Sequence, residues 1–91
     1  MNNNISPGGT DITALKQAIQ DGLLPQYKRN NNKIFDEDDI EKLKGVPKRD
    51  QDPDAVPLAI NQLIVARILR SVKFPDGSPG FKLRLKEDAD K

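Results

Sequence analysis

Apolar residues near the start of the chain recur at helical spacing. Ile12, Leu15, Ala18 and Ile19 fall on one side of a helix, while Thr13, Lys16, Gln17 and Gln20, at i, i+3, i+4 and i+7, fall on the other. Thr10 or Asp11 is placed to cap this helix, and Gly22, followed by Leu23, Leu24 and Pro25, predicts its end near Asp21. Tyr27 and Ile34/Phe35 are strand-forming ends around the turn Asn30-Asn31-Asn32, which predicts a short hairpin with a cationic, polar tip. Asp36 then caps a second helix, from Glu37 to Leu43 or Lys44, with Ile40 and Leu43 facing inward and Gly45 and Pro47 closing it.

The stretch 48–57, with two prolines and alternating acids, predicts an extended linker. Beyond it, 58–71 predicts the longest helix, whose apolar residues wrap most of its circumference, as in a helix buried on several sides. Val72-Lys73-Phe74 and 81–86 flank a Pro/Gly loop and predict a second hairpin. By period-two alternation Phe81, Leu83 and Leu85 share one face of its last strand, and Lys82, Arg84 and Lys86 form a basic stripe on the other.

These elements predict an α+β fold: one small winged-helix-like domain over 10–86, with three short helices and two β-hairpins. The ends, 1–9 and 87–91, are poor in apolar residues and predict disordered tails. Within the domain, 10–47 holds the first helix, the cationic hairpin and the acid-capped helix, and 58–86 holds the apolar helix and the basic hairpin. The inner face of the first helix needs a cover that 1–9 cannot supply, so the apolar C-terminal half is expected to pack on it, within the chain or from a second copy.

The chain has 91 residues, of which 35% are hydrophobic, enough for one small core. Fifteen basic and fourteen acidic residues nearly cancel, so distribution decides more than net charge. Seven of the fourteen acids sit at 36–39 and 50–54, which leaves 28–33 and 67–86 locally basic. No Cys and no His exclude a disulfide framework, a Cys/His metal site, a thiol nucleophile and a His-based triad. The acids at 36–39 fit a helix start, where they oppose the dipole, better than paired catalytic carboxylates. No cofactor, no metal and no enzymatic activity are therefore expected. No apolar stretch has membrane-spanning length and the N-terminus carries no signal pattern, so a cytoplasmic location without membrane contact is the expectation.

The corner Gly22-Leu23-Leu24-Pro25, the basic segment from Gln26 to Lys33, and the aromatic Phe35 before Asp36-Glu37-Asp38-Asp39-Ile40 together resemble the winged helix-turn-helix of excisionase-like and MerR-like DNA-binding proteins. The resemblance covers Asp11 to Lys44, about a third of the chain, and lacks the scaffold helix that opens such domains. It implies that Thr13, Lys16, Gln17 and Gln20 enter the major groove of double-stranded DNA. It also implies that Tyr27, Lys28, Arg29, Asn30, Asn31, Asn32 and Lys33 hold flanking phosphates as a wing. Lys82, Arg84 and Lys86 form a second basic patch. A monomer with so few cations binds weakly, so a homodimer or side-by-side oligomer is expected to supply specificity in a small transcription regulator or excisionase-type architectural factor. The alternative is a protein-interaction or assembly module, in which the apolar helix, through Leu58, Leu63, Val65 and Leu69, or the strand 81–86, docks a partner.

Overall fold

A computed structural model describes residues 4–30 and 32–84, and within them three helices precede a two-stranded antiparallel hairpin. The fold is a small α+β arrangement. Helix α1 spans Ile12–Arg29, α2 spans Glu37–Glu41 and α3 spans Ala55–Val65; strands β1, Leu69–Lys73, and β2, Pro79–Leu83, follow.

The N-terminal half of α1 follows the sequence. The Asp11 side chain accepts from the Ala14 amide at 3.2 Å, and Ile12, Leu15, Ile19 and Leu23 form its buried face. Its end does not. The helix runs eight residues beyond Asp21, through Gly22 and Pro25, so the expected corner is absent. Pro25 lacks the N–H that would bond the Asp21 carbonyl, a loss of about 3 kcal/mol in an isolated helix. Fully buried Leu23, with Leu24 and Tyr27 packed against the core, holds the last turns against that cost.

Gly22 is not a helix terminator but a point of close approach: a Cβ there would stand 2.8 Å from Leu43 Cδ2. Gly22→Val should therefore destabilise by about 1–3 kcal/mol through overpacking against Leu43, measured as a lower midpoint in urea. A midpoint equal to that of the parent chain would show that Leu43 swings clear at no cost.

Because Tyr27, Lys28 and Arg29 are helical, the first predicted hairpin does not form. Residues 32–34 form a loop, and Phe35 alone takes strand geometry. Its N–H donates to the Phe81 carbonyl at 2.8 Å and its carbonyl accepts from the Phe81 N–H at 2.7 Å, which places Phe35 on the outer edge of β2.

Asp36 caps α2 as predicted: its carboxylate accepts from the Asp39 amide at 2.8 Å, and the Asp39 carboxylate accepts from the Asp36 amide at 3.1 Å. The helix is shorter than predicted, ending at Glu41. The remaining acids face Arg49, whose guanidinium lies 2.7 Å from Glu41, 2.9 Å from Asp38 and 3.9 Å from Glu37. Glu41, by hydrogen bond and by charge, holds that guanidinium still more firmly protonated. These contacts account for the acidic run by helix capping and pairing.

The expected linker is instead folded onto the domain. Residues 49–54 make turns, and α3 begins at Ala55 with Pro57 inside its first turn, where a missing N–H is no loss. Asp52, 4% exposed, accepts from the hydroxyls of Ser6 and, at 2.6 Å, Thr10. These bonds tie down the segment expected to be a disordered tail: Ser6 is buried, and the Asn4 carbonyl accepts from the Ile12 amide at 2.8 Å. Residues 1–3 and the C-terminal tail 87–91 lie outside the described residues.

The Ser6 hydroxyl first, and the Thr10 hydroxyl second, pull the Asp52 carboxyl below the ordinary aspartate range. A carboxyl whose folded pKa is depressed stabilises the fold above its unfolded pKa, and that contribution is lost as pH falls through the folded value. Asp52→Asn should thus lower the melting temperature at neutral pH, and the gap to the parent chain should close on acidification below about pH 4. A gap that stayed constant across the titration would exclude Asp52 as the source.

Helix α3 stops earlier than the apolar pattern suggests. Ile68 N–H donates to the Leu63 carbonyl at 2.9 Å and Arg67 N–H to the Ile64 carbonyl at 3.0 Å, the paired bonds of a Schellman ending, with Arg67 in the left-handed position at φ 65°. The turn sends Leu69, Arg70 and Ser71, expected in the helix, into β1. The register pairs Leu69 with Leu83, Arg70 with Lys82 and Ser71 with Phe81. The predicted second hairpin is therefore present with its strands shifted, and Gly77, at φ 90°, closes its turn.

One hydrophobic cluster joins the halves. Ile12, Ile19 and Leu23 of α1 meet Val56, Ala59 and Leu63 of α3, together with Phe35, Ile40, Leu69 and Leu83. The apolar helix thus covers the inner face of α1 within the chain.

Candidate nucleic-acid interface

The residues expected to read a DNA groove from α1 are engaged within the chain. Gln17 donates to Asp21 at 2.9 Å, Gln20 reaches back to the Lys16 carbonyl at 3.4 Å, and Thr13 accepts from Asn4 at 3.3 Å. Asn4 in turn exchanges two hydrogen bonds with Gln62 of α3, at 2.7 and 2.8 Å. Lys16 is half-buried beside Asn61, Gln62 and Val65.

The expected wing residues are dispersed. Lys28 and Arg29 are exposed in the last turn of α1, where cations complement the helix dipole, and Asn30 is the C-cap, its amide bonded to the Gln26 carbonyl. Lys33 lies 5.7 Å above the Phe35 ring. Asn31 and Lys86 lie outside the described residues.

What the fold does bring together is a cleft of about 780 Å³ between the end of α1, the end of α3 and the hairpin. Arg67, Arg70, Lys82 and Arg84 line it, with Tyr27 and Asn32 contributed from the α1 side. No Asp or Glu is among its lining residues, and among the described residues none of the four cations has a carboxylate within 4.0 Å.

The backbone explains the convergence. Arg70 and Lys82 are directly opposed across the ladder, so their side chains share one face of the hairpin. Arg84, two residues beyond Lys82, continues that face, and its N–H donates to the Ile68 carbonyl at 2.7 Å, extending the pairing by one step. Leu69 and Leu83, on the opposite face, are buried in the core and anchor the hairpin. Arg67 is delivered by the left-handed turn that ends α3.

No known protein family, curated protein or solved structure matches this chain. The cleft must therefore be interpreted from its own chemistry.

Pockets for small organic ligands of this volume are mostly apolar with a few convergent polar groups. Here cations dominate, which suits a phosphate-rich surface. Of the DNA-contact and basic-patch residues named from sequence, Tyr27, Asn32, Lys82 and Arg84 meet in the cleft. Arg67 and Arg70 were missed because both fall inside the stretch that predicted a helix, and the only signal for them was the locally basic composition of 67–86.

The residues proposed to dock a partner divide differently. Leu63 and Leu69, 1% and 2% exposed, belong to the core and are not available to a partner. Leu58 is half-buried against it, and Val65, 83% exposed, stands alone at the end of α3. A single exposed valine is ordinary on a protein surface. Among the described residues no helix is long and apolar enough to cross a membrane, and no group of acidic side chains is arranged to hold a metal ion.

Proposed function

We propose that this chain binds double-stranded DNA, holding phosphates in the cleft formed by Arg67, Arg70, Lys82 and Arg84. The observation that carries the proposal is the four-cation lining without a carboxylate among the described residues, in a chain whose overall charge is only +1. Cations scattered as a solvated surface would be interleaved with acids; here, among the described residues, Glu37, Asp38 and Glu41 face Arg49, Asp36 and Asp39 cap α2, and Asp52 holds the Ser6/Thr10 staple.

The winged-helix reading moves accordingly. Three helices followed by a hairpin, with Phe35 bridged to the outer edge of β2, support a winged-helix-like domain whose wing is β1 and β2 and not the segment 27–35. The engagement of the α1 face within the chain favours phosphate contacts over base reading, so binding should be strongly salt-dependent and weakly selective. That profile fits an architectural factor or small regulator acting as neighbouring copies along DNA.

The test is a fluorescence-anisotropy titration with a random-sequence duplex at two salt concentrations. Affinity that falls steeply with salt supports the proposal. Salt-independent binding, or none at low salt, would remove it. The interaction-module reading has no comparable support, since its apolar helix is core.

A further inference from the structure

Two features of the cleft work against the stability of the fold, and they coincide in space. Arg67 sits at φ 65°, in the left-handed region where a Cβ is disfavoured and where helices usually place Gly or Asn. Arg70 and Lys82 are paired directly across the hairpin, where like charges repel and opposite charges would attract. Arg84 adds a third positive charge on the same face, and no carboxylate among the described residues offsets them. Elsewhere the same chain solves such problems in the ordinary way. Gly45 and Gly77 take its other left-handed turns in 32–84, and Arg49 faces three acids.

Strained backbone persists where surrounding structure over-determines it, and it concentrates at functional sites. Here the left-handed turn directs an arginine to the place where a phosphate chain would lie, and the charge ladder flanks that arginine. We infer that the fold forgoes stability at this cleft in favour of cationic density, so that a phosphate chain laid across Arg67, Arg70, Lys82 and Arg84 stabilises the protein as it binds. The inference rests on the nucleic-acid reading of the cleft and adds a thermodynamic link between folding and polyanion binding. Its ligand chemistry is the linked phosphate, whether in a nucleic-acid backbone or in free polyphosphate.

The linkage follows from mass action: a ligand that binds only the folded state raises its melting temperature as its concentration exceeds the dissociation constant. Substitutions that relieve the two costs should do the opposite of ordinary binding-site mutations. Arg67→Gly and Arg67→Asn relieve the left-handed turn, and Arg70→Gln removes the opposed charge. Each should raise the melting temperature of the free protein, by about 4–8 °C for a relief on the order of 1 kcal/mol at position 67 and by a smaller shift for the exposed charge pair. Each should also weaken binding of a random-sequence duplex several-fold.

The experiment measures thermal unfolding of the full chain and of the three variants, with and without tripolyphosphate at constant ionic strength, beside anisotropy titrations with the duplex. The expected result is a higher melting temperature without ligand and a smaller tripolyphosphate-induced rise in every variant. Variants that lose DNA affinity without gaining stability would overturn the inference and leave the DNA-binding reading in place. Variants that gain stability and lose a tripolyphosphate response, in a protein that ignores duplex DNA, would retain the inference for free polyphosphate and remove the DNA reading. Unchanged melting and unchanged binding would overturn the inference and the placement of phosphates in the cleft. Arg67→Asn separates the turn from the extra backbone freedom that Gly brings to the unfolded chain.

Discussion

Leu63→Asp should unfold this protein. Leu63 is 1% exposed in the cluster that joins α1, α3 and the hairpin, and its carbonyl accepts the Ile68 N–H that ends α3. An unpaired carboxylate at such a site loses its hydration and gains no partner, and the lost leucine packing adds to that penalty; together they exceed about 4 kcal/mol. A 91-residue chain with one small core sits near the lower end of the usual range, on the order of 5 kcal/mol, so a penalty above about 4 kcal/mol removes nearly all of its stability. Far-UV circular dichroism at 25 °C should show loss of helix, with DNA binding lost in parallel. Leu63→Met, close in volume and apolar, should keep the fold with a loss below about 1.5 kcal/mol. A cooperative melting transition in Leu63→Asp near that of the parent chain would mean that α3 is peripheral and that the core lies elsewhere.

The packing that makes Leu63 critical was legible in the sequence, because it rests on periodicity and on area. The inner face of α1 was placed at Ile12, Leu15, Ala18 and Ile19, of which all but half-buried Ala18 are buried, and the only apolar surface large enough to cover it was the C-terminal half, whose helix α3 does so. The cap at Asp36 was equally local and is present; of the last strand's alternation only buried Leu83 beside exposed Arg84 is seen, and Leu85 and Lys86 lie outside the described residues.

What the sequence did not disclose depended on partners distant along the chain. Gly22 and Pro25 are strong local breakers, yet Leu23 gains enough from the core to carry α1 past them. Asp52 looked like one acid of a solvated linker, since its partners Ser6 and Thr10 lie 46 and 42 residues away. The end of α3 was hidden for another reason. An arginine in the left-handed position has no glycine to announce it, so Ile68 and Leu69 seemed to prolong the helical pattern. With that turn hidden, Arg67 and Arg70 stayed out of view, and only the half of the cleft built on Lys82 and Arg84 could be anticipated.

On the proposed function, removing Arg70 and Arg84 together should abolish most DNA binding while leaving the fold intact. Both are exposed, so truncation to Ala costs little stability, and at Arg70 it removes a repulsion. If each of the four cleft cations neutralises one phosphate, the logarithm of affinity falls with the logarithm of salt at a slope of about −3.6, a loss on the order of 100-fold between about 50 and 200 mM. The double variant should show a slope near −1.8, a loss of about 10-fold over the same range, and at low salt a reduced affinity to match. Lys28→Ala with Arg29→Ala provides the contrast. These residues stand in the last turn of α1 and do not line the cleft, so their removal should change the slope by well under one unit. The two double variants carry the same change in net charge, which separates a local site from a diffuse field. Equal losses from both pairs would show that total charge governs binding and that the cleft has no special role. A loss confined to Lys28 and Arg29 would restore the end of α1 as the phosphate-binding element. A loss confined to Arg70 and Arg84 would place the DNA backbone along the hairpin, where Leu69 and Leu83 hold the cationic face rigidly against the core.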